Sequence, residues 1–194
     1  PLDGRPDSSR TPEKLLASTG LDLDAEYSPD GRQIAFSSTR SGSQEIWIAE
    51  ADGTRPRQLT AMGGALTGSP RWLPDGRAIV CDSRREGSGD LYLVSPDGGA
   101  PRLLAGGPGY QGEPRWSKDG RWIYFHTSGQ RGQLFKIPAQ GGSPLQLTRD
   151  GGGPARESPD GRRIYYGKGG GLWKMPAAGG EETQVLQGLS WPTN

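Results

Sequence analysis

The chain has 194 residues with 33 Gly, 17 Pro and only 31% apolar residues, a usage that calls for many turns and few helices. Its 23 basic and 22 acidic residues leave a formal net charge of +1, which excludes a strong field for recruiting nucleic acid or an anionic membrane. The single cysteine, Cys81, excludes an intrachain disulfide framework and a multi-cysteine zinc site, and reads as a free buried thiol.

Residues 1–20 read as an N-terminal segment in which Pro12 to Leu16 supplies one outer strand of a preceding unit. A first four-stranded unit is expected over 21–60, with strand A at Ala25 to Ser28, B at Ile34 to Phe36, C at Ile46 to Ile48 and D closing on Leu59. The second unit, 61–105, places A at Pro70 to Trp72, B at Ile79 to Cys81, C at Leu91 to Leu93 and D on Leu104. The third, 106–148, uses Pro114 to Trp116, Ile123 to Phe125, Leu134-Phe135 and Leu147. The fourth, 149–188, uses a degenerate Ala155 to Glu157, then Ile164 to Tyr166, Leu172-Trp173 and Val185. There Ala155 and Glu157 stand where the second and third units have Pro and an aromatic, so a distorted inner strand is expected. Residues 189–194 read as the start of a further unit, and the chain as four units cut from a larger ring of six to eight.

The division rests on a repeat: Ser28 to Arg32, Leu73 to Arg77, Ser117 to Arg121 and Ser158 to Arg162 are variants of one S-P-D-G-R phrase. Its glycines are spaced by 45 residues (31 to 76), 44 (76 to 120) and 41 (120 to 161). Between them lie short β-branched and aromatic runs rather than a 3.6-residue period, which selects strands. Asp-Gly between short strands is a strong hairpin signal, because glycine accepts positive φ and aspartate bonds the neighbouring backbone. One four-stranded sheet with two apolar faces cannot cover itself, and stacking units radially does so, which gives an all-β propeller of four-stranded antiparallel blades. Glycine-rich composition with low hydropathy is also that of disordered chains. Here, however, six Trp, six Tyr and three Phe recur at regular places beside Ile and Leu. No apolar run approaches the roughly 18 residues that span a bilayer. The first residues, PLDGRPDSSR, are neither a start methionine nor a signal peptide, so a processed or excised piece is expected.

The full phrase, P-x-W-S-P-D-G-R, then I-x-F, then I-W or L-Y, then D-G-G and P-x-x-L-T, resembles the TolB-type, WD-repeat-like propeller repeat over about Leu21 to Gln187. That resemblance implies the blade type. It also implies one of three settings: TolB-like periplasmic proteins, the propellers that cap prolyl-oligopeptidase-type peptidases, or the C-terminal sensor halves of bacterial winged-helix regulators. The third and fourth units are most similar to the last of these. A TolB-like setting implies an extracytoplasmic location, and a polysaccharide lyase is a further enzyme setting for such a propeller.

Candidate chemistry is sparse. His126, the only histidine, lacks the convergent partners a catalytic or metal role needs and reads as a blade-surface or inter-blade residue. No G-x-S-x-G elbow is present. Gly107 to Gly112 fits G-x-G-x-x-G but links strand D to strand A, without the following helix that a dinucleotide fingerprint requires. Asp22 and Asp24 lack the spacing of a calcium loop and read as capping the first strand. Arg32, Arg77, Arg121 and Arg162 recur with every turn, as structural residues do. No cofactor and no metal are expected.

Loop lengths carry more information. The A–B and C–D turns are short and stereotyped, whereas the D–A links (61–68, 106–111) and B–C links (39–43, 84–89, 128–132) are longer and varied. In an up-and-down blade these two sets emerge on one face, and variable loops on a rigid scaffold are where binding residues concentrate. Arg40, Arg84, Arg85, Glu86, Tyr110, Gln111 and Arg131 are the expected contact side chains on this face. The expected partner is a protein or small ligand, without direct nucleic-acid contact or membrane insertion, and open blade edges invite homo-oligomers.

Overall fold

The computed structural model describes residues 14–16, 18–63, 66–85, 87–107, 109, 111–129 and 132–188. These residues are all-β, without a helix among them, and form four four-stranded antiparallel sheets, each ordered as its strands follow in the chain. The first sheet holds β1 (Asp22–Tyr27), β2 (Gln33–Ser38), β3 (Glu45–Glu50) and β4 (Arg57–Gln58). The second holds β5 (Thr67–Trp72), β6 (Ile79–Ser83), β7 (Asp90–Val94) and β8 (Arg102–Ala105). The third holds β9 (Gln111–Trp116), β10 (Trp122–Thr127), β11 (Leu134–Pro138) and β12 (Leu145–Gln146). The fourth holds β13 (Ala155–Glu157), β14 (Arg163–Lys168), β15 (Gly171–Pro176) and β16 (Thr183–Leu186). The fourth unit's C–D turn and β16 close this last sheet with an outer strand exposed along its whole length.

Each A–B turn is folded by its own phrase. Ser28 Oγ donates to Asp30 Oδ1 (2.6 Å) and accepts from the Gln33 N–H (2.9 Å), while Asp30 Oδ1 also accepts from the Arg32 N–H (3.1 Å). Gly31 follows at φ 71°, a conformation open to glycine and strained for most other residues. The same bonds recur around Ser117 and Asp119 and around Ser158 and Asp160. Arg32, Arg77 and Arg121 each pair with the aspartate of their own turn and stay about four-fifths exposed, so these are weak surface pairs.

The core lies between sheets. Ala35, Ile46 and Ile48 of the first sheet meet Trp72, Ile79, Cys81, Tyr92 and Val94 of the second. Val80, Leu91 and Leu104 on the second sheet's other face meet Ile123, Phe125 and Ile137 of the third. Tyr124 and Leu134 then meet Ile164, Tyr166 and Met175 of the fourth. The second and third blades are thus each a filling between two neighbours, which is the logic of a propeller. The first strands are innermost, since β1 packs beside β5 and β5 beside β9. Cys81 is fully buried, and that burial pushes its thiol well above the ordinary range.

Residues 14–16 form no strand, in contrast to the outer strand expected there; Pro12 and Glu13 lie outside the described residues. Leu16 packs on Ile34, Phe36, Ala49 and Trp47, on a face of the first sheet. Residues 189–194, expected to begin a further unit, also lie outside the described residues.

The inner strands share a device. Asp24, Ser69 and Glu113 have φ of 53°, 51° and 50°, and each marks a register shift against β2, β6 or β10. These are β-bulges, which bend a strand and re-aim its side chains. The fourth sheet has Pro154 at the corresponding place, and proline cannot adopt positive φ. Accordingly β13 has three residues where the other inner strands have six, and pairs with β14 without a shift.

Candidate functional site

The links between β2 and β3, β6 and β7, β10 and β11, and from one sheet to the next, emerge together at one end of the blades. Hydrogen bonds fix them there. The Thr67 N–H donates to Gln44 O (3.1 Å) and the Gln111 N–H to Gly89 O (2.8 Å), so the B–C link of one blade is tied to the start of the next inner strand. Within the second blade's link, the Gly87 N–H donates to Arg84 O (3.1 Å) and the Arg84 N–H to Leu66 O (3.0 Å).

Between these links lies an open cavity of about 470 Å³ lined by Arg84, Gly87, Ser88 and Gly89 of the second blade, by Gly109 on the way to β9, and by Ser128 of the third blade. Three glycines leave the backbone uncovered by side chains, with the Gly87 N–H and Gly89 O already bonded within the links, two serines offer hydroxyls, and one guanidinium supplies charge. Such a wall suits a polar group, peptide backbone included. Arg84 and Arg85 are both exposed here. Gln111 sits behind the rim, 9% exposed, and its Oε1 has no hydrogen-bond partner among the described residues. A buried acceptor of that kind is rare in folded proteins.

Arg40 is placed differently. Its side chain is 13% exposed, pairs with Asp22 at 2.8 Å, donates through Nε to Ser38 Oγ at 3.0 Å, and lies 5.0 Å from the centroids of both Phe36 and Trp47. Burial alone would raise the Asp22 carboxyl, but hydrogen bonds from Ser38, Arg40 and Ser18 outweigh it and hold the group below its ordinary range. Arg40 and Asp22 therefore lock the end of the first sheet. Glu86, Tyr110 and Arg131 lie outside the described residues. The glycines and serines of the wall carry no charge or aromatic ring, so a search for anchor side chains passes over them; the signal was the Gly/Ser content of the links themselves.

A second hollow, of about 360 Å³, opens at the short-turn end between Ser28, Pro29, Asp30, Gln33, Trp72, Asp75 and Gly76. Its polar groups are already used within the turn, as the Ser28 bonds show. His126 is half-buried on β10, opposite Leu134, on the face turned to the fourth sheet. Among the described residues no group of three or more His, Cys, Asp or Glu could hold a metal ion, and no helix long and apolar enough to cross a membrane occurs.

The fold recurs in solved structures. A protein described as TolB from Agrobacterium tumefaciens superposes with a TM-score of 0.77 at 25% identity, over 92% of this chain and 72% of that one. TolB from Acinetobacter baumannii gives 0.73 at 24% identity, over 91% of this chain and 46% of that one. A puromycin-hydrolyzing peptidase from Mycobacterium tuberculosis gives 0.77 at 16% identity, with all of this chain matching 33% of the peptidase. The chain thus spans about three quarters of the first protein, under half of the second and a third of the peptidase. The family model of the TolB beta propeller domain matches residues 57–187, which hold three of the four sheets and the end of the other. With the repeated turns and radial packing described above, this match makes the chain a member of the TolB beta propeller domain family.

Proposed function

We propose that this chain is a non-catalytic binding module that takes a protein or small ligand on its long-loop face, at the cavity between the second and third blades. The observation that carries the reading is the meeting of Arg84, Gly87, Ser88, Gly89, Gly109 and Ser128 around about 470 Å³ of open space. That volume is of the size that holds a small ligand or an inserted side chain. Partner capture from cell extract tests it. Replacing Arg84, Arg85 and Tyr110 together by Ala should reduce capture about tenfold or more, at the scale of losing one anchor, and leave the β circular-dichroism spectrum intact. Unchanged capture would remove the assignment.

The finer setting we propose is the sensor part of a bacterial regulator, supported by the wording of the third and fourth units. A periplasmic TolB-like role, with the location that implies, and the propeller of a prolyl-oligopeptidase-type peptidase are the rivals. The full reading frame separates them, since an upstream winged helix and a downstream α/β-hydrolase domain make opposite predictions.

A further inference from the structure

The inner strands carry a row of guanidinium groups that form no ion pair with a carboxylate among the described residues. Arg71 on β5, Arg115 on β9 and Arg156 on β13 hold the same place, two residues before the start of each turn phrase. Neighbouring inner strands are close here: the Trp116 indole N–H donates to Arg71 O at 2.9 Å. Yet none of the three arginines forms an ion pair among the described residues. Arg71 Nη1 donates to Pro70 O (2.6 Å) and Arg115 Nη1 to Pro114 O (3.1 Å), while Arg115 Nε is shut away from solvent without an acceptor. Burial, then the charges of Arg71 and Arg156, push the Arg115 guanidinium down to about 10.

The blade does not require this. At the same place the first unit has Glu26, whose carboxylate accepts the Trp72 N–H at 2.7 Å while its carbonyl takes the Trp72 indole at 3.2 Å. A purely structural position is thus served by an acid in one blade, and there is no packing reason for three successive cations. Like charges brought together in a half-buried place lower stability unless an opposite charge joins them. Glu26, already engaged by the Trp72 N–H, and Glu113, exposed on the bulge of β9, are the two carboxylates whose fields reach Arg115, against the three guanidinium groups.

We propose that the inner ends of the second, third and fourth blades bind a small multivalent oxyanion, carboxylate or phosphate, between Arg71, Arg115 and Arg156. Planar guanidinium groups donate two parallel hydrogen bonds to either kind of oxyanion, and three of them match a ligand with two or more charged groups. The site lies at the short-turn half of the inner strands, apart from the long-loop cavity, and stands or falls independently of it.

Titration calorimetry of the whole chain with citrate and with pyrophosphate, at low ionic strength, tests the proposal. Saturable binding of either probe is expected, and which one binds more tightly assigns the chemistry. Arg156→Gln, an exposed position that leaves packing intact, and Arg115→Gln should each weaken binding about tenfold, the scale of one charge-assisted hydrogen bond. Glu113→Gln should tighten it. Arg162→Gln, on the neighbouring turn, and Arg84→Ala, in the long-loop cavity, should leave it unchanged. No saturable binding of either probe, or a loss in Arg162→Gln equal to that in Arg156→Gln, would overturn the proposal.

Discussion

Glu157 stands where the second and third sheets have Trp72 and Trp116, whose indoles reach back to the preceding blade at Glu26 O and Arg71 O. The glutamate makes the same backward link by other means: Oε1 accepts from Tyr124 Oη (2.7 Å) and Oε2 from the Lys118 N–H (2.6 Å). Burial, helped by that carboxylate, pushes the Tyr124 hydroxyl well above its ordinary range. Glu157→Ala leaves the buried hydroxyl unpaired and should cost about 2–3 kcal/mol in urea unfolding. Tyr124→Phe in the same background should recover part of that loss, giving a coupling of about 1 kcal/mol in a double-mutant cycle. The turn aspartates set the acid limb of stability. Serine hydroxyls first, then the arginine N–H, hold Asp30, Asp119 and Asp160 below the ordinary carboxylate range, Asp119 at about 2. Their native pKa values lie below the unfolded ones, so their contribution is complete above about pH 4 and disappears as pH falls toward 2. Denaturation midpoints measured from pH 5 to 2 should fall through that window, and Asp119→Asn should flatten the fall. Being exposed, each contributes modestly.

At the level of the strand, the B and C strands were legible because their apolar runs flank glycine-containing turns, Asp-Gly before every B strand and after the first two C strands, whose chemistry fixes register. The inner strands were legible only at their turn ends. Their other halves carry the bulges at Asp24, Ser69 and Glu113, and none of these is the glycine that usually announces positive φ. The distortion expected for the fourth inner strand did have a readable cause in Pro154. The bulge makes a direct prediction: Ser69→Gly relieves the left-handed strain and should be neutral to stabilising by up to about 1 kcal/mol, whereas Ser69→Val should destabilise. Thermal unfolding of both variants checks this, and a stabilised Val variant would deny the bulge. The outer strands also explain the L-T ending of the repeat. Thr60 Oγ1 accepts from the Ile46 N–H (2.9 Å) and donates to buried Glu45 (2.6 Å), and Thr148 does the same between the Leu134 N–H (2.9 Å) and Gln133 (3.2 Å). A strand of two residues needs such a clasp.

Across the molecule, blades are joined by apolar clusters and by a recurring polar reach. Arg57 donates to Pro96 O, Arg102 Nη1 to Gln140 O (3.3 Å), and Lys136 Nζ to Ala177 O (2.8 Å), each onto the C–D turn of the next blade. None of this was visible in the sequence, because a partner turn some 40 residues away leaves no local pattern. The same holds for the candidate site. The links could be named from their length, but Arg40 and Gln111 were drawn inward by Asp22 and by the tie to Gly89, and the wall proved to be mostly backbone. The central claim is that partners engage the long-loop end. Hydrogen–deuterium exchange of the chain, alone and with its captured partner, reads this directly. Slowed exchange is predicted at residues 84–89, 109–111 and 128–132 with the four S-P-D-G-R turns unchanged; protection of those turns with the links unaffected would contradict it.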